Sequence, residues 1–352
     1  MKKLLLGSAA IAGLVLASAP AQAQMELTIG GHSKNYIGYV DQDNSGNDNF
    51  GMARETELHF NGEATLDNGL TFGFQVETEV DGGDDANTIE ESYVYLSGTW
   101  GRVNLGSENG AAYLLQVAAP SADSNIDGIR QYISPIATTG VNPVSNNGTN
   151  VAGTTDVDGL DYDNDLTGTA EKITYLSPNF GGFQVGASYT HAADEANPSD
   201  TPITDGLTVD GNEGYEVSAR YEGVMDGFGY ALGAGYTTVE ATGDDAEEWN
   251  VGLDVDAGPF GVGVVYTEAE QGTTESDTTV VGVDYTTGPF KFGASYLTLD
   301  TDTATGIEAD RYTAGVIYTA GAGLSFRGSV SQLDVEDNAD TTSVLGGVQI
   351  NF

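Results

Sequence analysis

The feature that most constrains this chain is a strict two-residue alternation of apolar and polar side chains. In YLSPNFGGFQVGASYT, residues 175–190, an extended strand places Phe183 and Tyr189 on one face and the polar residues between them on the other. Residues 70–77 and 249–256 repeat the pattern, with Glu, Asp, Gln or Gly opposite large apolar side chains. Burying unpaired carboxylates is costly, so we expect the polar face to border water. The apolar face then packs in a soluble two-sheet sandwich or contacts lipid.

The first 23 residues predict export from the cytoplasm. Lys2 and Lys3 precede an apolar run, and the run ends at Ala21-Gln22-Ala23, which has the small residues of a signal-peptidase site. The run is shorter than the roughly 20 residues that a spanning helix needs. We therefore predict a cleaved secretory signal peptide over 1–23 and a single mature domain over 24–352.

The mature chain reads as strands throughout, without a convincing amphipathic helix. With no transmembrane helix, a closed β-barrel is the remaining way for a mature chain to span a membrane. The sequence predicts sixteen strands, near 25–40, 54–66, 69–80, 88–97, 100–106, 170–177, 180–192, 213–222, 227–240, 246–257, 259–269, 277–287, 289–299, 309–320, 322–335 and 341–352.

The connections between these strands alternate between tight turns and long polar loops, as in outer-membrane barrels. Aromatic residues gather near the strand ends, which is typical of the girdles at a membrane interface. Sixteen strands enclose a lumen too wide for side chains to fill. The predicted fold is therefore all-β, a 16-stranded antiparallel transmembrane β-barrel around an aqueous channel. A turn at Gly223 to Asp226 is one of the predicted tight connections.

The charge balance excludes one class of partner. The chain has 11 basic and 53 acidic residues, a formal net charge of −42. Nucleic-acid binding needs a basic surface, so we expect no nucleic-acid partner. Such acidity favours solubility or adaptation to salt, and it also creates a field that attracts cations. The chain has no cysteine, so it forms no disulfide.

Four stretches resemble the general bacterial porins of Gram-negative outer membranes: 66–77, 91–112, 172–191 and the last strand ending in Phe352. The resemblance implies a homotrimer surrounded by outer-membrane lipid and lipopolysaccharide that passes small hydrophilic solutes by diffusion. It also implies short turns at the periplasm, long extracellular loops and a third long loop that folds inward to constrict the pore. Phe352 would close the barrel and be read by the insertion machinery.

The chain departs from the family pattern at two places where many relatives carry arginine. Ser107 follows Gly106 at the start of the third loop, and Thr174 precedes Tyr175, with Lys172 on the same face. The basic half of the constriction is thereby weakened. We therefore expect cations, rather than anions, to be preferred.

The long connection over 107–169 is the predicted constriction loop, since loops of this length are usually functional. A disordered external loop is the alternative, above all for 137–155. Its acidic residues Glu108, Asp123 and Asp127 are expected to oppose basic side chains of the wall and so create a transverse field. Strand parity assigns six basic residues to the lumen, because charge facing lipid costs about 2 to 4 kcal/mol at the midplane. These are Arg102, Lys172, Arg220, Lys291, Arg311 and Arg327.

A candidate calcium site lies in DYDNDLTG, where Asp161, Asp163 and Asp165 have the alternating spacing of oxygen-ligand loops. Leu166 stands where an EF-hand needs glycine, and Lys172 where it needs glutamate, so a solvated acidic loop is the simpler interpretation. No cofactor is otherwise required.

No enzyme motif is present, with three histidines and neither GxSxG nor HExxH in the chain. Two alternatives to a general porin remain open. One is a structural or adhesive protein, either a barrel with a closed lumen or an exported sandwich. The other is an 18-stranded sugar-specific pore, which needs two further strands within 107–169.

Overall fold

Sixteen antiparallel strands form one closed barrel, in which each strand pairs with its sequence neighbours and β1 pairs with β16. The computed structural model describes residues 25–42, 50–80, 89–122, 162–193, 213–241, 243–302, 308–336 and 340–352. The strands are β1 Glu26–Gln42, β2 Phe50–Thr65, β3 Thr71–Glu79, β4 Ile89–Gly98, β5 Gly101–Ser107, β6 Glu171–Leu176, β7 Phe183–Thr190, β8 Gly214–Met225, β9 Phe228–Val239, β10 Ala246–Ala257, β11 Phe260–Gln271, β12 Thr274–Thr287, β13 Phe290–Asp302, β14 Glu308–Gly321, β15 Leu324–Val335 and β16 Thr341–Asn351.

The predicted sixteen-stranded antiparallel barrel is confirmed, and the two other folds are wrong. β5 pairs directly with β6, so no further strands enter the barrel between them and the 18-stranded alternative fails. The sheet closes on itself, which a two-sheet sandwich does not do.

One predicted turn is misplaced. β8 continues to Met225, and the turn consists of Asp226 and Gly227 instead of starting at Gly223. Both turn residues have positive φ, 52° and 88°. This is the backbone shape of a two-residue turn whose twist matches that of the flanking strands, and Asp-Gly is a preferred pair for it.

The barrel closes where the first and last strands meet. The backbone N–H of Gly31 donates to the Phe352 carbonyl oxygen at 3.0 Å, and the Phe352 N–H donates to the Gly31 carbonyl oxygen at 3.1 Å.

The short connections between strands lie at the end of the barrel where Phe352 lies, which we call the turn rim. The long connections lie at the other end, the loop rim. One connection at the loop rim is short: β11 and β12 are joined by only Gly272 and Thr273, which departs from the expected alternation of tight turns and long loops.

Burial along the strands is inverted relative to a soluble protein. On β7, Phe183 is 44% exposed and Val185 is 36% exposed, whereas Ser188 on the inner face is 7% exposed. The same outward apolar face recurs around the barrel, and such a continuous band is stable only against an apolar solvent. The outer face therefore contacts lipid. No helix among the described residues is long and apolar enough to cross a membrane.

Candidate functional site

The connection after β5 runs inside the barrel. It contains a short helix, α1 Ala111–Leu114, and its described first arm, 107–122, lies against the inner face of β7 to β13. We call this inner face the covered wall. The arm meets β7 at Gly186 and reaches β13 at Gly293, so it crosses seven consecutive strands.

Glycines on the covered wall let the backbone of the first arm lie close to the strands. A Cβ atom on Gly252 would overlap the carbonyl oxygen of Val117, and one on Gly282 would overlap that of Pro120. Since these contacts are with backbone, a side chain there could not be accommodated by a rotamer change. The glycines are therefore required for the path of the loop.

Polar side chains of the covered wall anchor the start of α1. The Ala111 N–H donates to Ser188 Oγ at 2.8 Å, and Ser218 Oγ donates to the Ala111 carbonyl at 2.6 Å. The Ala112 N–H donates to Glu216 Oε2 at 2.9 Å. The first backbone N–H groups of a helix lack partners within it, and the wall supplies them.

The second described arm, 162–170, is bonded to the first through buried side chains. Gln116 Nε2 donates to the Tyr162 carbonyl at 3.1 Å, and its Oε1 accepts from the Asn164 N–H at 2.8 Å. Glu216 accepts a second bond, from Thr167 Oγ1, at 2.5 Å. Neither Gln116 nor Glu216 was predicted from the sequence. Gln116 is the one amide within AAYLLQVAAP, and that is the signal that could have identified it.

An apolar cluster interrupts the polar inner face. Val265, Val280 and Leu297 point inward and pack with Ala119 and Tyr162 of the two arms. The expectation that the inner face borders water throughout is thus wrong on the covered wall, where it borders protein. The sequence contains a signal for this contact, because Val265 and Val280 are apolar where the alternation of their strands predicts polar residues.

Two of the six basic residues assigned to the lumen are buried. Lys172 is 5% exposed, and its Nζ donates to the carbonyls of Glu108 at 2.5 Å and Gly168 at 2.6 Å. Arg311 is 2% exposed and donates from Nε to Ser331 Oγ at 3.2 Å. Lys172 therefore holds the two arms together instead of bordering an open pore.

Arg102 and Glu108 form a local network at the root of the loop. The Arg102 guanidinium lies 4.0 Å from the ring centre of Tyr95, and its Nε donates to Asn104 Oδ1 at 2.6 Å. Asn104 Nδ2 donates to Glu108 Oε2 at 2.5 Å. Burial raises the pKa of the Glu108 carboxyl above its usual range. Glu108 is thus a buried structural carboxyl rather than a charge exposed to the pore.

Two of the other three predicted basic residues are paired with a carboxylate. Arg220 Nη2 lies 2.6 Å from Glu222 Oε1, and Arg220 also donates to the loop. Lys291 Nζ lies 3.2 Å from Asp284 Oδ2, and Arg327 is half-buried on β15. Of the six predicted basic residues, Arg220 and Lys291 are therefore neutralised by a carboxylate on the wall.

Three of the acidic residues predicted from the sequence lie outside the described residues, namely Asp123, Asp127 and Asp161. Asp163 and Asp165 are buried in the second arm. Within the described ranges, the clusters of three or more His, Asp or Glu residues with converging ligand atoms do not include them. Calcium binding at this loop stays a prediction.

The inner face of β1 to β4, which we call the opposite wall, lies across the barrel from the middle of the covered wall. His32, His59 and Glu77 on this wall keep partial access to the lumen, whereas Glu57 is buried. His32, Glu57, His59 and Glu77 form one group there, and Glu77 pairs in register with Glu91 of β4.

A second acidic group lies on the inner face of β10 and β12 towards the turn rim. It consists of Asp254, Asp256 and Asp284 around Gly261 and Gly263. With the neighbouring Glu55, Glu91 and Lys34 counted, the first group has four carboxylates and three basic side chains. The second has three carboxylates and Lys291, which gives the described lumen an acidic lining.

Comparison with known proteins assigns the chain to a family. The model of the Gram-negative porin family matches residues 7–338. Outer membrane porin protein 32 of Delftia acidovorans is 30% identical over 225 residues, which cover 61% of this chain and 56% of that protein. The match thus spans a little over half the length of that curated relative.

Solved structures share the fold. An anion-selective porin from Comamonas acidovorans has a TM-score of 0.66 at 20% identity, covering 94% of this chain and 100% of that one. A mutant of the Rh. blastica porin has a TM-score of 0.62 at 19% identity, covering 93% and 100%. At such identities the likeness shows the fold alone. With the family match over most of the chain and an apolar outer face closed into a barrel, the chain belongs to the Gram-negative porin family and lies in the outer membrane.

Proposed function

We propose that this barrel is a passive diffusion channel for small hydrophilic solutes and ions and that it prefers cations. Membership of the porin family and a lumen lined by polar side chains support the channel. The enclosed space of a sixteen-stranded barrel is wider than its own side chains fill, and the inward loop narrows it without adding a strand.

The observation that carries the cation preference is the state of the basic residues in the lumen. Lys172 and Arg311 are buried, and Lys34, also buried, lies 3.1 Å from Glu55. Arg220 and Lys291 are paired with carboxylates. Carboxylates without a basic partner at salt-bridge distance remain near the water, including Asp256 on β10. A surplus of one sign within a narrow, low-dielectric channel concentrates ions of the other sign.

A structurally similar porin is described as anion-selective, so the fold does not decide the sign. At 20% identity, ion selectivity depends on which side chains each chain places in the lumen. Here the net charge of −42 and the paired or buried basic residues both favour cations.

The test is the reversal potential of the refolded mature protein in a planar bilayer with a salt gradient. We expect discrete conductance steps and a potential of the sign that cation permeation produces. Removing two lumenal carboxylates with Glu77→Gln and Asp256→Asn should lower the cation-to-anion permeability ratio by about threefold. That factor corresponds to a change of about 0.5 kT per unit charge in lumenal potential, because cations and anions respond in opposite directions.

A matched control removes two carboxylates from the outer face. Glu275 and Asp302 pair in register near the loop rim and are exposed. Glu275→Gln with Asp302→Asn gives the same change in net charge and should leave the permeability ratio unchanged. A reversal potential of the opposite sign would reject the cation preference. A folded barrel without conductance would reject the channel and support the structural alternative.

The assembly that we propose is a homotrimer surrounded by outer-membrane lipid and lipopolysaccharide. Support comes from the family, since general porins with this loop arrangement associate in threes. Sedimentation in detergent of the refolded protein should give the mass of three chains, and conductance should fall in three equal steps when the trimer closes. A single-chain mass would overturn this part of the proposal alone.

A further inference from the structure

We infer that the opposite wall carries a binding site for a divalent transition-metal ion, formed by His32, Glu57 and His59. These residues use two of the three histidines in the chain. The channel function proposed above does not require them. The chemical class of ligand is a borderline-soft cation such as Zn²⁺, because two imidazoles with one carboxylate are a common ligand set for that ion.

The strand register brings the three ligands together. His32 of β1 stands directly opposite Glu57 of β2, and Gly30 of β1 stands opposite His59. His59 and Glu57 are two residues apart on β2, so their side chains point to the same inner face. His32 lies beside both, with its ring centre 6.3 Å from that of His59 and the ring planes nearly perpendicular.

The ligand atoms already converge. One ring nitrogen of each histidine and one Glu57 oxygen all lie within 4.8 Å of one another. Tetrahedral zinc with bonds of about 2.0 to 2.1 Å needs ligand atoms about 3.3 Å apart. Small side-chain rotations therefore suffice to bring all three onto one ion, which would replace the direct hydrogen bond between His59 and Glu57.

Further carboxylates hold the two imidazoles in place. His32 Nε2 lies 2.6 Å from Glu55 Oε1, and His59 Nδ1 lies 3.5 Å from Glu77 Oε1. Imidazoles that bind metals in proteins almost always bond through the other ring nitrogen to a carboxylate, carbonyl or water, which fixes the tautomer and orients the ring. A plain lining histidine needs no such partner, and here His32 is hydrogen-bonded to Glu55 while Glu77 lies beside Nδ1 of His59.

Charge and access also suit a cation. Glu55, Glu57 and Glu77 surround the two histidines, while Lys34 bonds to the outer carboxylate, Glu55, at 3.1 Å. The His59 side chain is 30% exposed and that of His32 is 15% exposed, so an ion can enter from the lumen. Three protein ligands leave a fourth position for water, as in zinc sites that keep an open coordination position.

The site lies near the root of the constriction loop. Glu77, the partner of His59, pairs in register with Glu91 of β4. Glu91 Oε1 accepts a bond from Asn109 Nδ2 of the loop at 2.9 Å. A bound divalent ion would therefore add positive charge to the lumen wall two strands away from the loop contact.

The experiment is a calorimetric titration of the refolded full mature protein with Zn²⁺ in detergent, in a large excess of Mg²⁺. The excess Mg²⁺ occupies the many exposed carboxylates, since hard cations prefer oxygen ligands, whereas it competes weakly for imidazole. We expect one saturable Zn²⁺ ion per chain. Binding that disappears in Mg²⁺ would overturn the inference.

Variants of the histidines assign the ion to this site. His32→Gln and His59→Gln should each weaken binding by about 100-fold, and Glu55→Gln, which acts through His32, by about 10-fold. The matched control is His191→Gln, at the exposed end of β7, which should leave binding unchanged. Equal affinity in His32→Gln and the control would overturn the inference.

Folding of each variant is checked by its circular dichroism spectrum and by its resistance to unfolding in detergent. Should His59→Gln fail to fold, a second measurement remains. Co²⁺ bound to the unsubstituted protein should give the visible absorption of a site with nitrogen ligands, and Zn²⁺ should displace it. Absence of that absorption with folded protein would also overturn the site. These readouts measure binding directly, so they hold whichever ions the channel prefers.

Discussion

The covered wall and the opposite wall are built from the same alternating pattern, yet their inner faces have different partners. On the covered wall, Ser188, Glu216 and Ser218 bond to the loop backbone. On the opposite wall, Glu57 and Glu77 pair with histidine side chains, and His59 and Glu77 keep partial access to the lumen. An inward polar residue is therefore either a loop anchor or a lining group, and its strand pattern alone does not say which.

The difference explains the placement of small residues. Where the loop crosses the covered wall, glycine recurs on the inner face, and backbone lies against backbone. On β2 of the opposite wall, Gly51 has open space beside it. Gly282 is thus a structural requirement for the path of the loop, whereas Gly51 is replaceable. Substitutions matched between the walls test this directly.

The largest effect is expected for a side chain placed between loop and wall. Gly282→Leu would drive its side chain into the Pro120 carbonyl, and overpacking of this kind costs about 3 kcal/mol. The first arm should leave the covered wall, and single-channel conductance should change with it. Gly51→Leu is the control and should keep the conductance of the unsubstituted protein. Equal behaviour of the two variants would refute the contrast between the walls.

A smaller effect is expected when the link between the two arms is removed. Gln116→Ala leaves the buried Asn164 N–H without its acceptor, which costs about 1 to 2 kcal/mol. Limited proteolysis within the loop should become faster while the barrel stays folded. Gln75→Ala, on the half-buried inner face of the opposite wall, should not change that rate. Unchanged proteolysis of Gln116→Ala would show that other contacts hold the arms.

The smallest effect is expected for Lys291, a basic residue of the covered wall that bonds to another wall residue and not to the loop. Lys291 pairs with Asp284 of the neighbouring strand and is partly exposed. Lys291→Gln should change the free energy of unfolding by less than about 1 kcal/mol, as for other exposed pairs. Cation preference should rise slightly in reversal-potential measurements. A large loss of stability would contradict this expectation. It would show that a residue of the covered wall can be important for stability without bonding to the loop.

Much of the fold could be predicted because local periodicity determines it. All sixteen predicted segments are strands, and the segment 246–257 has the predicted ends. β2 begins at Phe50, earlier than predicted. Phe50 and Met52 continue the outward apolar positions of the strand, but they stand in a polar stretch. The misplaced turn after β8 came from giving Gly223 more weight than the Asp226-Gly227 pair.

The site was less predictable for a physical reason. The alternation along a strand predicts that Lys172 and Arg311 point inward. It does not predict whether water or the loop contacts them there. Lys172 proved to bond to the loop carbonyls, which are recorded in no local pattern. Partial signals existed, since Val265 and Val280 break the alternation where the loop packs. The convergence of His32 and His59 depends on the register between β1 and β2, which the sequence analysis did not assign.

By itself, the sequence determined which side of each strand contacts lipid and how many strands close the barrel, because both follow from a period of two residues and from the turns between strands. Only the tertiary structure decided which inward side chains meet water. That choice depends on contacts such as Ala112 with Glu216, between residues more than a hundred positions apart. Such contacts exist only in the closed barrel, with the loop packed inside it.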